Sequence, residues 1–195
     1  MNFLAHIYLS RHDEEEMVGN FLGDFVKGRN LDHYPPKLSA GIRLHRLIDV
    51  FTDTHPIFEE SKQLLKPYFK RYTPVVIDMF YDHFLAANWS DYCEESLEQE
   101  SLHFYDTMEK FDAYLPERVK YILPYMKADN WLLSYATVEG IGQALQGINR
   151  RTGGKAGIGE AIVQLTAHYE ELKEHFQRFF PLLQEYVQEV RSQNK

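Results

Sequence analysis

The chain has a single cysteine, Cys93, so no disulfide can form within it. That fits a reducing, cytoplasmic setting, because small secreted domains commonly depend on disulfides. Cys93 lies in the acidic stretch Ser90–Ser96 with no activating base beside it, and reads as a surface thiol rather than a nucleophile. Long apolar runs are missing as well: nothing approaches the ~18 uninterrupted apolar residues of a membrane span. Met1–Ser10 lacks the basic region and apolar run of a signal peptide and is not expected to be one. Positive charge is in deficit, with 21 Lys and Arg against 29 Asp and Glu, a formal net charge of −8. Generic nucleic-acid binding, which needs basic surface against phosphate, is therefore disfavoured. Gly is sparse, and its one cluster, Gly153–Gly157, lacks the preceding strand and the spacing of a nucleotide-binding loop.

Alternation of β-branched residues is nearly absent, whereas helical periodicity runs throughout. The length fits one domain of ~100–200 residues, and the 44% hydrophobic content with 13 Tyr and 13 Phe excludes disorder. The expectation is an all-α, single compact multi-helix domain spanning residues 1–195. Predicted helices cover 3–9, 14–25, 37–52, 58–71, 75–87, 97–105, 117–127, 128–135, 138–148 and 158–190. Pro35, Pro36, Pro56 and Pro74 stand at boundaries, and Pro181 is expected to kink or interrupt the last helix.

Ionisable residues stand inside several of these apolar segments: His6, Asp24, His45, Asp49, Asp53, Asp78, Asp82 and His83. Burying an unpaired charge is costly, so such groups call for pairing, hydrogen bonds or a metal. On the third helix, His45, Asp49 and Asp53 recur at i, i+4 and i+8 along the flank of the Leu44–Leu47–Ile48–Phe51 stripe, with Arg46 beside them. Alone, that pattern reads equally well as an exposed His–Asp ion pair. The fifth helix is apolar on almost every side, the mark of a buried helix, and still carries Asp78, Asp82 and His83. There the plain alternative is a set of satisfied core hydrogen bonds. Asp24 follows Gly19 and Gly23, which would let another backbone come close. His plus carboxylate from several segments is the ligand set of a catalytic divalent metal. His12, His33, His103, His168 and His175 have polar neighbours and are expected at the surface. Basic residues gather at Lys27, Arg29, Arg43 and Arg46, and again at Arg150, Arg151 and Lys155.

The ordered series Asn2-Phe3-Leu4-Ala5-His6, Gly19-Asn20-Phe21-Leu22-Gly23-Asp24-Phe25-Val26-Lys27-Gly28, Gly41-Ile42-Arg43-Leu44-His45-Arg46-Leu47-Ile48-Asp49, Thr52-Asp53 and Asp82-His83-Phe84-Leu85 with Trp89 resembles the acyl carrier protein phosphodiesterases. These look like divergent relatives of the HD-domain metal phosphohydrolases, which implies an HD-domain-like helical fold. The resemblance implies hydrolysis of the phosphodiester that joins 4′-phosphopantetheine to a serine of acyl carrier protein. It also implies a divalent cation, Mn2+ or Mg2+. Carried over by position, His6, Asp24, Asp49, Asp82 and His83 are implied metal-site residues, and Asp24, His45, Arg46 and Asp49 implied catalytic ones. Asp82-His83 reverses the His-Asp order of ordinary HD domains. An acidic carrier protein would require local basic surface, for which Lys27, Arg29, Arg43, Arg150 and Arg151 are the candidates. Two other readings stay open: an HD-like enzyme acting on a nucleotide or other small phosphoester, and a non-enzymatic helical binding protein.

Overall fold

The structure, a computed structural model, describes residues 1–154 and 157–193 and is helical throughout, with no strand among them. In chain order the helices are α1 Phe3–Ser10, α2 Glu14–Leu22, α3 Pro36–Thr54, α4 Pro56–Phe69, α5 Thr73–Ala87 and α6 Leu97–Lys110. They continue with α7 Glu117–Ala128, α8 Trp131–Ser134, α9 Val138–Arg151, α10 Ile162–Ala167 and α11 Tyr169–Gln193. The local chemistry explains several boundaries. Asp13 accepts from the Glu16 N–H to cap α2, whose first turn carries Glu14, Glu15 and Glu16. Ser96 and Gln99 form a reciprocal capping box on α6. Pro56 opens α4 directly after α3 ends.

As expected from its all-round apolar sequence, α5 is the central element. Val76, Ile77 and every residue from Met79 to Ala86 are buried, with α1, α4, α9 and α11 packed around it. Its aromatic residues meet those of α11: Tyr81 packs on Phe176 and Phe179, and Phe84 on Tyr169 and Phe176. α2 and α3 lie against each other more extensively than any other pair of helices. Gly19 and Gly41 make this possible. A Cβ on Gly19 would lie 2.1 Å from the Leu38 carbonyl oxygen, and one on Gly41 would lie 2.2 Å from that of Glu16.

Three expectations need correction. The last helix is not interrupted at Pro181; it breaks at His168 (φ −120°, ψ 24°) into α10 and α11, and Pro181 sits within α11. Pro181 and Gln177 are both exposed, so water can serve the carbonyl that the proline ring leaves without an amide. His175 is not a surface residue. It is buried, with Nδ1 2.9 Å from Ser61 Oγ and Nε2 3.5 Å from Glu60. Cys93 is buried too, and its thiol donates to Glu95 Oε2 at 3.3 Å. Lys155, expected with the second basic group, lies outside the described residues.

The α2–α3 contact generates a direct test. Gly41→Ala places a methyl against backbone atoms that cannot swing aside. The expected cost is about 1–3 kcal/mol, a fall in Tm of roughly 3–10 °C, measured by thermal denaturation. An unchanged Tm would mean that the two helices separate without penalty.

Candidate functional site

Four of the residues singled out in the sequence come together where α1, α3 and the turn after α2 meet. His6 and His45 stack, ring centroids 3.9 Å apart and planes at 22°. Both aim Nε2 at one carboxylate: His6 at Asp49 Oδ1 (3.2 Å) and His45 at Asp49 Oδ2 (3.1 Å). Asp24 Oδ1 stands 3.7 Å from His45 Nε2. The i, i+4 spacing on α3 makes the His45–Asp49 pair local, whereas His6 and Asp24 arrive through packing. Gly23 admits the His45 ring, since a Cβ there would lie 2.1 Å from His45 Cγ. The imidazoles are buried, but the Asp24 and Asp49 side chains are 43% and 40% exposed, so the cluster opens to solvent on its carboxylate side.

Asn20 decides the state of both rings. Its side-chain amide donates to the His6 carbonyl and to Ser10 Oγ, which leaves Oδ1 as the acceptor facing His6 Nδ1 at 2.8 Å. Its backbone carbonyl faces His45 Nδ1, also at 2.8 Å. Oxygen acceptors at both Nδ1 positions require N–H there. A neutral ring then presents an Nε2 lone pair, not a proton, to Asp49. Burial, followed by the neighbouring His45, pushes the His6 pKa down and favours that neutral form. Lone pairs and carboxylate oxygens facing one another at 3.1–3.2 Å need positive charge between them. With outer N–H groups held by oxygen and inner nitrogens turned to a carboxylate, the set fits a divalent cation. His6, His45 and Asp49 offer ligand atoms within 4.8 Å of one another.

The amino group of Met1 lies at the edge of this cluster, 2.9 Å from Asp78 and 3.7 Å from Asp49. Burial opposes its charge, but the Asp78 and Asp49 carboxylates prevail and raise its pKa to about 10.

Two of the expected site residues lie elsewhere. Asp82 caps α1 instead: its carboxylate oxygens accept from the Leu4 N–H (2.8 Å) and the Ala5 N–H (3.1 Å). Burial pushes its carboxyl up to about 7 against the pull of those two donors. It positions His6 by holding the helix that carries it. His83 points about 100° away from Asp82 around α5. Its Nδ1 meets the Tyr135 carbonyl at 2.8 Å and its Nε2 the Tyr169 hydroxyl at 3.1 Å, so both ring nitrogens are engaged in the core. Asp53, one turn beyond Asp49, is exposed, and Arg46 donates to the Val26 carbonyl at 3.2 Å, tying α3 to the turn that bears Asp24.

Lys27, Arg29 and Arg43 are exposed. Arg150 and Arg151, at the end of α9, line a cleft of about 710 Å³ formed with Asn2, Phe3, Trp131 and Tyr135. The sequence reading missed the part played by Asn20, although it stands inside the Gly19–Gly23 motif. It also missed Arg118, whose guanidinium lies 5.8 Å from the centre of the Phe25 ring, one residue from Asp24. No spacing links Arg118 to Phe25 in the sequence; only the placement of α7 brings them together.

Comparison with known proteins adds to this geometry. The family model described as acyl carrier protein phosphodiesterase matches residues 1–183. The chain belongs to the acyl carrier protein phosphodiesterase family. It is 32% identical to the acyl carrier protein phosphodiesterase of Photorhabdus laumondii over 186 residues, 95% of this chain and 94% of the relative. It is 32% identical to that of Yersinia pestis over 189 residues (96% and 98%), and 33% identical to that of Escherichia coli over 196 (95% and 96%). No solved structure matches.

The structural part given to Asp82 can be separated from that of the cluster. Asp82→Ala leaves two buried N–H groups at the start of α1 without an acceptor and should cost about 1–3 kcal/mol. Asp82→Asn, which keeps one oxygen, should recover part of it. Asp24→Ala, at a half-open position in a turn, should stay within about 0.5 kcal/mol of wild type. Urea denaturation of the metal-free proteins gives all three values, and equal losses for Asp24→Ala and Asp82→Ala would contradict this division.

Proposed function

We propose that this member of the acyl carrier protein phosphodiesterase family is a metal-dependent phosphodiesterase that releases 4′-phosphopantetheine from holo-acyl carrier protein and leaves the apo form. The observation that carries the metal dependence is the pair of imidazoles whose Nδ1 positions face the two Asn20 oxygens and whose Nε2 atoms face Asp49. His6, His45 and Asp49 would hold the ion, Mn2+ or Mg2+, with Asp24 at the open edge. When bound, such an ion lowers the pKa of a coordinated water and draws charge from a phosphoryl oxygen. The full family match and the relatives' names support the carrier protein as substrate. A cytoplasmic location belongs to the same reading; no helix among the described residues is long and apolar enough to cross a membrane.

The residues divide the work as follows. Water adds to phosphorus, and the bond from phosphorus to the serine oxygen breaks. Asp24, the more exposed carboxylate, takes the proton from the attacking water and returns it to the departing serine oxygen. Asp49 and the two rings stay fixed through this exchange, held by Asn20. Arg118 and Arg151 supply positive charge near the anionic group, while Arg46 acts through the turn it holds. Lys27, Arg29 and Arg43 form the exposed basic surface for the acidic carrier, on a chain whose net charge is otherwise −8.

Metal binding and turnover should fail together. Wild type should bind one Mn2+ in a calorimetric titration and convert holo to apo carrier protein in a gel-shift assay. Asp49→Ala should lose the binding, and Asp24→Ala should lose activity by at least about a hundredfold while its circular dichroism stays normal. Full activity of Asp24→Ala at ordinary metal concentration would reject the assignment. Hydrolysis of nucleotides with no action on holo carrier protein would favour the small-phosphoester reading.

Docking should be electrostatic. Arg43→Glu is expected to raise KM for holo carrier protein roughly two- to fivefold, with wild-type KM itself rising with salt as contacts are screened over about 10 Å at 0.1 M. A small phosphodiester should respond to neither change. Equal effects on both substrates would remove the case for an acidic protein partner.

A further inference from the structure

The cleft beside the metal-fitting cluster shares Arg151 with the hydrolytic centre and otherwise extends away from it. Asn2 and Phe3 line it and follow directly on the amine that touches Asp49; Met79 lines it and follows Asp78. Phe3 also stacks on Phe25, the neighbour of Asp24, with ring centroids 6.0 Å apart. One end of the cleft therefore adjoins the cluster. From there it runs between α8 and α9, lined by Trp131, Tyr135, Ala144 and Ile148, with polar groups from Gln143 and Ser134. Its charged lining is Arg150 and Arg151 with a single carboxylate, Asp129.

We propose that this cleft is the binding site for the pantetheine arm of the substrate, and that it fixes the direction in which the phosphodiester lies across the cluster. The proposal rests on the reading of the chain as a carrier-protein phosphodiesterase. A phosphodiester has two substituents, here a folded acidic protein and a slender arm. A cleft of about 710 Å³ has the size of a small-molecule site and cannot admit a folded domain. The arm is uncharged beyond its phosphate: alkyl segments joined by two secondary amides and ending in a thiol. The cleft matches that chemistry, with aromatic and aliphatic walls for the alkyl parts and amide and hydroxyl groups for the two amides. Its cations, Arg150 and Arg151, suit the phosphate at the head of the arm. The carrier protein then lies on the other side of the phosphorus, over exposed Lys27, Arg29 and Arg43. Serine oxygen and pantetheine oxygen are thereby sorted, so that the bond to serine is the one that breaks.

Gly147 gives a way to fill the cleft without disturbing its frame: it lies on the wall, and a Cβ there would meet nothing nearer than Arg150 Nη2 at 3.9 Å. The test uses the intact chain with Mn2+ and two substrates, holo carrier protein and bis(4-nitrophenyl) phosphate, which has no arm. In Gly147→Phe the ratio of kcat/KM for the carrier to that for the armless diester should fall on the order of tenfold, about 1.4 kcal/mol of lost discrimination. Gln143→Leu, which removes an amide partner and fills less space, should lower the same ratio and stands in if Gly147→Phe fails to fold by circular dichroism. An unchanged ratio in the folded variants overturns the proposal. A second arm needs no turnover: D-pantetheine, which lacks the phosphate, should alter the fluorescence of Trp131 in wild type but not in Gly147→Phe. The other tryptophan, Trp89, is buried away from the cleft at 6% exposure. If wild type is inactive on holo carrier protein, the proposed function fails, and this arm alone decides the cleft. A pantetheine response that Gly147→Phe abolishes upholds the arm site; no response, or a response to adenosine in its place, overturns it.

Discussion

Asn20 is the residue on which the site depends. One buried side chain and its own carbonyl place acceptors on the outer nitrogens of two histidines from different helices. Fixing the outer N–H fixes the tautomer, and the tautomer turns both inner lone pairs toward Asp49. Without that constraint, either imidazole could rotate or change tautomer and satisfy Asp49 as an ordinary hydrogen-bond donor. The cluster would then be an ordinary hydrogen-bonded network. With it, lone pairs and carboxylate oxygens face one another, an arrangement that fits a cation.

The rest of the fold serves that constraint. α2 must bring Asn20 within reach of α1 and α3 at once, and the Gly19–Gly41 contact sets the spacing of α2 on α3. Gly23 leaves room for the His45 ring at the point where the chain leaves α2. Asp82 holds the first turn of α1 through two backbone N–H groups, which sets the height of His6. α5, buried on nearly every side, is the rigid support from which Asp82 acts. His83, next to it, ties another face of the same helix to Tyr135 and Tyr169. Asp82 and His83 act on this buried helix as anchors, with both carboxylate oxygens and both ring nitrogens engaged within the protein.

Charge divides the surface in a similar way. A net charge of −8 alone would repel an acidic partner, yet the cations are not spread evenly. Lys27, Arg29 and Arg43 lie exposed on and beside the α2–α3 pair, and Arg150 and Arg151 lie along the cleft. Arg118 joins them only through the position of α7 against Phe25. Local field rather than net charge governs encounter at such a surface.

Much of this was legible in the sequence. Helical periodicity and proline positions located every α-helix that packs the core, because those signals are local and chemical. The break at His168 instead of Pro181 was not legible, since an exposed proline can be tolerated within a helix. The i, i+4 spacing of His45 and Asp49 was readable, because one turn of helix sets it. The family motifs placed His6 and Asp24 in the same set. The sequence could not separate Asp82 and His83 from that set. Both alternatives, ligand and satisfied core group, place a polar residue in an apolar helix, and only the partner across space distinguishes them. It also could not assign Asn20 its part, because an asparagine between two apolar stretches carries no sign of which carbonyl or ring it will meet. Residue types and local spacing are fixed along the chain. Which hydrogen-bonding atoms face one another is decided by helix packing, and packing closes contacts between residues that have no periodic relation in sequence.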